Sequence, residues 1–146
     1  MEIRVMTTED YEQVYHLWIN TPGMGLNDLD DSREGIAKYL NRNPTTCFVA
    51  VDEGKIAGVI MAGHDGRRGF IHHTTVAEEY RKQGIGRELV RHALTALEKE
   101  GISKAALLVF RQNELGNIFW ENVGFTDRED IVYRNKCIHQ LLRIDT

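Results

Sequence analysis

Two cysteines, Cys47 and Cys137, are all that 146 residues contain. They show no CxxC spacing and no metal pattern, which points to a reducing compartment and away from a disulfide-built scaffold. Positive charge is not in excess either. The 18 Lys and Arg against 22 Asp and Glu leave a net charge of -4, which argues against phosphate neutralisation on nucleic acid. No apolar run reaches the roughly 18 residues a membrane span requires. The opening "MEIRVMTTED" lacks the basic start and apolar stretch of a signal peptide. Internal repeats, low-complexity tracts and linkers are missing as well. What remains is a cytoplasmic chain with one domain over residues 1–146, long enough to bury a core.

The elements that are present alternate in type. "EIRVM" reads as a strand, followed by a helix capped by Thr7 or Thr8 with Tyr11, Val14, Tyr15, Leu17, Trp18 and Ile19 on its apolar side. "NTPGMGLNDLDDSREG" reads as an irregular loop, and Ser32 as the cap of a short helix ended by Asn43-Pro44. "TTCFVAVDEGKIAGVIMAGHDG" and "FIHHTTVA" supply three strands joined by tight turns, an antiparallel meander with Asp65-Gly66 at its second turn. A helix from Ile85 closes at Gly101, and "KAALLVF" reads as a strand buried on both faces. "NELGNIFWENVGF" predicts a helix ending at Gly124, and "DIVYRNKCIHQLLRI" the last strand. The fold class is α/β with a mixed sheet.

Chemistry concentrates in "RKQGIGRELV", residues 81–90. The first turn of a helix has free N–H groups and the positive end of the dipole. Gly84 and Gly86 let a ligand approach that backbone, and Arg81, Lys82 and Arg87 add charge. The site suits an anion, a pyrophosphate above all; the plain alternative is a solvated basic helix start. A Rossmann loop is excluded because position 89 is Leu89 and six residues separate Ala77 from Gly84. No GxxxxGK[ST] string exists for a Walker A loop. Asn113, Asn117 and Trp120 share one face of the later helix, either as binding groups or as cap and core.

In these residues the chain resembles the GNAT N-acetyltransferases. "VAEEYRKQGIGRELV" is similar to the family's [QR]xxGx[GA] motif at Arg81, Gly84 and Gly86, and "NELGNIFWENVGF" to NxxAxxxYxxxGF at Asn113, Gly124 and Phe125. The resemblance spans nearly the whole chain. It implies a mostly antiparallel sheet that splays between its fourth and fifth strands, flanked by helices. Acetyl-CoA would lie in that gap as co-substrate, without a metal. Its binding set would be the backbone of Thr74, Thr75 and Val76, the loop Arg81, Lys82, Gln83, Gly84, Ile85, Gly86 and Arg87, and Asn113, Asn117 and Trp120.

The implied reaction moves an acetyl group to a primary amine of a small molecule, protein or peptide. An alkylammonium must first lose a proton, so a base is required. The family often sets Glu or His on its fourth strand, where strict alternation groups Phe70, His72 and Thr74 on one face and Ile71, His73 and Thr75 on the other. His72 is the first candidate and His73 the second; the plain alternative is one core and one surface histidine. A metal site from His64, Asp65, His72 and His73 is disfavoured. The oxyanion would meet the N–H of Val76, where the family has a bulge. Trp120 replaces the usual Tyr acid, leaving Tyr133 or water to act, and Gly116 replaces an Ala, which would let helix and cofactor approach. Asp28, Asp30 and Asp31, in the loop where the family's acceptor enters, suit a cationic amine. Two other readings stand beside this one: an acyl-CoA-binding regulatory module without turnover, supported by Trp120, and a protein–protein module using "VYRNKCIHQLL". A homodimer is compatible with all of them.

Overall fold

Apolar residues with a period of two at 48–62 and a period near 3.6 at 85–97 set the two kinds of element that the chain alternates. The computed structural model describes residues 1–144. In chain order its elements are β1 (Glu2–Val5), α1 (Tyr11–Ile19), β2 (Leu26–Asn27), α2 (Arg33–Arg42), β3 (Phe48–Asp52), β4 (Lys55–His64), β5 (Gly69–Val76), α3 (Ile85–Lys99), β6 (Ala105–Leu107), α4 (Glu114–Asn122) and β7 (Arg143–Ile144). The main sheet runs β1-β3-β4-β5-β6, antiparallel except for the parallel pair β5–β6. Alternation along β3 and β4 feeds one core on each face. Val49, Val59 and Met61 meet Val14, Trp18, Ile36 and Leu40 of α1 and α2. Phe48, Ala50, Ile60 and Ala62 meet Leu89, Val90, Ala93 and Leu97 of α3.

Turn and cap chemistry explains the joints. Glu53 and Gly54 have φ of 47° and 80°, the two positive values that a twisted two-residue hairpin requires. Ser32 Oγ accepts the Gly35 N–H at 3.0 Å and caps α2 as expected. Ahead of α1 the expected Thr7 caps a single 3-10 turn, Thr8–Asp10, in a capping box with Asp10. Asp10 accepts the Thr7 N–H at 2.8 Å and two bonds from Arg4 at 2.9 and 2.8 Å, because a carboxylate at the helix start can serve both partners. α3 and α4 both end with a left-handed glycine, Gly101 and Gly124. Ile102 N–H reaches Leu97 O at 3.0 Å, and Phe125 N–H reaches Trp120 O at 2.8 Å.

The second half of the chain departs from expectation. "KAALLVF" yields only the three residues of β6, half-buried or exposed, with Leu108 56% and Phe110 49% exposed. Its apolar run looked like a strand covered on both faces, but β6 is the last strand of its sheet, with a partner on one edge alone. The expected final strand is likewise reduced to β7, which pairs with β2 and not with β6. Asp28 fastens this return, its Oδ1 accepting the Leu142 N–H at 2.6 Å.

Candidate active site

β6 follows β5 only from Gly69 to Ile71; from His72 to Val76 the outer edge of β5 has no strand beside it. The sheet therefore opens between its fourth and fifth strands. In the same stretch β5 bulges. Met61 pairs with His72 and Val59 with Thr75, so His73 and Thr74 together face the single residue Ile60. His73 makes the extra residue fit with φ of 46°, an uncommon value for a side-chain-bearing residue. The bulge lies two residues before Val76, where it was expected.

That extra residue overturns strict alternation. His72 packs edge-on against Tyr39 of α2, with centroids 5.7 Å apart, and against Phe70 at 4.8 Å. His73 turns to the same side of the sheet and meets Trp18 of α1 at 4.9 Å. The two imidazoles, expected on opposite faces, are 6.2 Å apart. Burial first, then the neighbouring His73, pull the pKa of His72 below the usual imidazole value; Asp31 and Asp30 oppose the shift. His72 is nonetheless an exposed residue of the strand, so solvent screens the shift without changing its direction.

His73 has a different partner. Its Nε2 stands 2.7 Å from Oδ1 of Asp31, whose side chain is only 4% exposed. Asp31 Oδ2 accepts the Asn27 N–H at 2.8 Å, and the Asp31 carbonyl accepts the Tyr11 hydroxyl at 2.8 Å. Asp31 is thus committed inside the protein, whereas Asp28 and Asp30 remain exposed. Tyr11 and Trp18 were legible only as core of α1. Nothing in their spacing announced that the hydroxyl of one would bond the backbone carbonyl of the residue whose carboxylate pairs with the histidine beside the other.

Beyond β5 the chain crosses to α3. Ala77 N–H bonds back to Ala57 O at 2.8 Å, so by strand alternation the polar groups of Val76 are directed to the free edge. Arg81 Nε donates to Val76 O at 3.1 Å, and the Tyr80 hydroxyl anchors the loop to Asp52 at 2.9 Å. Gly84 precedes α3 with φ of 83° and open space where a Cβ would stand. The N–H groups of Ile85, Gly86 and Arg87 start the helix beside Lys82, Gln83 and Arg87, all exposed except for a half-buried Gly86 and a buried Ile85. This set fits an anionic group. Gly86 serves packing too, since a Cβ there would meet the Phe119 ring at 3.1 Å.

α4 uses its polar residues structurally. Asn113 Oδ1 caps the helix through the Gly116 N–H at 2.9 Å. Asn117 Nδ2 donates to Phe110 O at 3.0 Å and Asn113 O at 2.8 Å, fixing the turn after β6. Gly116, expected to let helix and cofactor approach, leaves room for the cap: a Cβ would lie 2.5 Å from Asn113 Nδ2. Trp120 packs on Phe125 at 5.3 Å, closing the helix end. Tyr133 is 60% exposed on the returning segment. His64 Nδ1 and Asp65 Oδ1 are engaged by backbone N–H groups of their own turn, Gly66 for the former and Arg67 and Arg68 for the latter. Cys47 is buried with its thiol pushed up to about 12, so it is no ready nucleophile.

An opened mixed sheet beside a glycine-bearing, basic helix start is the framework of an acyltransferase. A sequence profile described as Acetyltransferase (GNAT) family matches residues 11–125. The protein named acetyltransferase plu1384 of Photorhabdus laumondii is 31% identical over 144 residues, covering 94% of this chain and 96% of its own. Among solved structures, the PaiA N-acetyltransferase from Thermoplasma acidophilum in complex with coenzyme A superposes with a TM-score of 0.77 at 21% identity, covering 89% of this chain and 92% of its own. The aminoglycoside N-acetyltransferase AAC(6')-Iy in complex with CoA gives 0.70 at 19%, covering 93% and 95%. These two likenesses establish the fold. The chain belongs to the GNAT acetyltransferase family. Acetyltransferase activity of that type comes with the membership. Among the described residues no helix is long and apolar enough to cross a membrane.

Proposed function

We propose that the protein transfers the acetyl group of acetyl-CoA to a primary amine, with His73 taking the amine proton. The observation that carries this reading is the free edge of β5 from His72 to Val76, which ends beside the Gly84 helix start and contains the His73 bulge. The N–H groups of Ile85, Gly86 and Arg87, with Arg81, Lys82 and Gln83, would hold the pyrophosphate. The backbone of Thr74 to Val76 would pair with the pantetheine amides, and the Val76 N–H would face the developing oxyanion. Acetyl-CoA supplies the activated acyl group; the chain supplies orientation and a proton acceptor.

His73 replaces His72 as the favoured base because it alone of the two has a carboxylate partner. Solved structures of like fold include a ribosomal-protein-S18-alanine N-acetyltransferase and an aminoglycoside N-acetyltransferase, which keeps both protein and small-molecule amines open as acceptor classes. Exposed Asp28 and Asp30 favour a cationic one. Work in a reducing, cytoplasmic compartment is supported by two free cysteines. The regulatory-module alternative rested on Trp120, and the packing of that residue on Phe125 gives the indole a structural reason to stand there.

The test is a thermal melt with acetyl-CoA. At about 100 times its dissociation constant the ligand should add about 2.7 kcal/mol. Gly84→Val should abolish the shift while the circular dichroism spectrum is retained, since the new side chain enters open space at a left-handed position. A melt unmoved by millimolar acetyl-CoA would remove the reading; a full shift in Gly84→Val would move the phosphates elsewhere.

A further inference from the structure

A buried carboxylate that touches an imidazole can be a latch or a catalytic support, and the two differ in what the second ring nitrogen is free to do. A buried carboxylate such as that of Asp31 needs donors around it. Three contacts meet that need or fix its backbone: Asn27 N–H at Oδ2, His73 Nε2 at Oδ1, and the Tyr11 hydroxyl at its carbonyl. A carboxylate only accepts, so the neutral His73 ring must carry its hydrogen on Nε2. Nδ1 is then left with its lone pair, and among the described residues no hydrogen bond engages it. Trp18 lies edge-on against the ring at 4.9 Å and restricts its rotation. The ring also sits at the left-handed residue of the bulge, on the part of β5 that β6 leaves uncovered. Backbone strain of this kind concentrates where geometry serves function.

We propose that Asp31 is the positioning residue of the acetyl transfer, holding His73 in the tautomer whose Nδ1 accepts the proton of the incoming amine. This rests on the reading of His73 as base. In the step, an N–H bond of the amine breaks and Nδ1 gains the proton. The nitrogen pair so freed forms the bond to the acetyl carbon, the carbon–sulfur pair leaves with the thiolate, and the second N–H proton, shed as the nitrogen becomes an amide, protonates that thiolate. The imidazolium formed is balanced by the Asp31 carboxylate, the logic of an acid that orients a histidine. Asp31 therefore does not meet the acceptor itself, despite its place in the acidic loop.

Asp31→Asn separates this role from a latch. The amide has one acceptor oxygen, and the Asn27 N–H claims it. Its NH2 then faces His73 and forces the hydrogen onto Nδ1. Long-range proton–nitrogen spectra of histidine-labelled protein should show the Nε2–H tautomer at His73 in wild type and the Nδ1–H tautomer in Asp31→Asn. With acetyl-CoA and a panel of spermidine and a lysine-containing peptide, read by thiol release, kcat near neutral pH should fall at least tenfold. The KM for acetyl-CoA should be unchanged and the deficit should narrow as pH rises. His73→Asn, which tolerates the positive φ, should lose as much, and the double variant no more than either. An unchanged tautomer, or kcat within twofold of wild type with the same pH profile, overturns the role of Asp31. Independent losses that add in the double variant identify a latch and also overturn it. Wild-type kcat in His73→Asn would instead remove His73 as base, a separate failure.

Discussion

His72 and His73 are adjacent in sequence and have different neighbours. His72 packs between Tyr39 and Phe70, and burial with the charge of His73 lowers its pKa against the opposing Asp31 and Asp30. In the unfolded chain it titrates near 6.5. Between the lowered folded value and about 6.5, the unfolded state binds more protons, so stability rises with pH across that window and is lost on acidification. Urea midpoints measured from pH 5 to 7 should fall on the acid side in wild type and fall less in His72→Gln. Equal pH slopes in the two proteins would show that His72 is solvated like a free imidazole. His72→Gln should also retain turnover, because the base role has moved to the residue beside it.

At the scale of elements, α4 shows how one missing methyl group organises a helix start. Asn113→Ala removes the side-chain cap and should cost about 1 kcal/mol in chemical denaturation. Gly116→Ala has two opposing effects. Alanine is worth about 1 kcal/mol over glycine inside a helix, but its Cβ would stand 2.5 Å from Asn113 Nδ2 and displace the cap. The single variant should therefore change stability little, whereas the same substitution in Asn113→Ala should give the full gain. Additive behaviour of the pair would mean that the cap tolerates the methyl group. β5 carries the other lesson of this scale: one inserted residue opposite Ile60 brings two successive histidines to the same side of the sheet.

For the whole molecule, charge distribution and sheet opening act together. The acidic loop before α2 and the first turn of that helix expose Asp28, Asp30 and Glu34, with Arg33 paired to Glu12. Fields of this sign raise the encounter rate of cations until salt screens them, over about 10 Å at 0.1 M. The kcat/KM for spermidine should fall as salt rises from about 0.03 to 0.3 M. Asp30→Asn with Glu34→Gln should flatten that slope; Asp28 is left intact because it holds the Leu142 N–H. A salt response identical to wild type in the double variant would mean that this loop does not steer the acceptor.

Local chemistry in the sequence was enough for the meander, the caps and the glycine-bearing helix start. Residues 48–62 alternate, Ser32 and Asn113 stand where a helix needs an acceptor, and Gly84 allows a left-handed turn, all decided within a few residues. Family membership was legible for the same reason, since "RKQGIG" and the Asn113–Phe125 segment are contiguous. What lay beyond was whatever depends on a partner distant in the chain. "KAALLVF" had the composition of a central strand, but the tertiary structure left it at the edge of the sheet. The bulge at His73 exists because β4 and β5 must stay paired around one surplus residue, and no single strand records that surplus. Asp31 read as one acidic residue among three, and only folding brought it across 42 positions to His73 and made it a buried partner. Short-range sterics and capping write themselves into sequence; the pairing of a charge with a proton acceptor is decided by which surfaces meet.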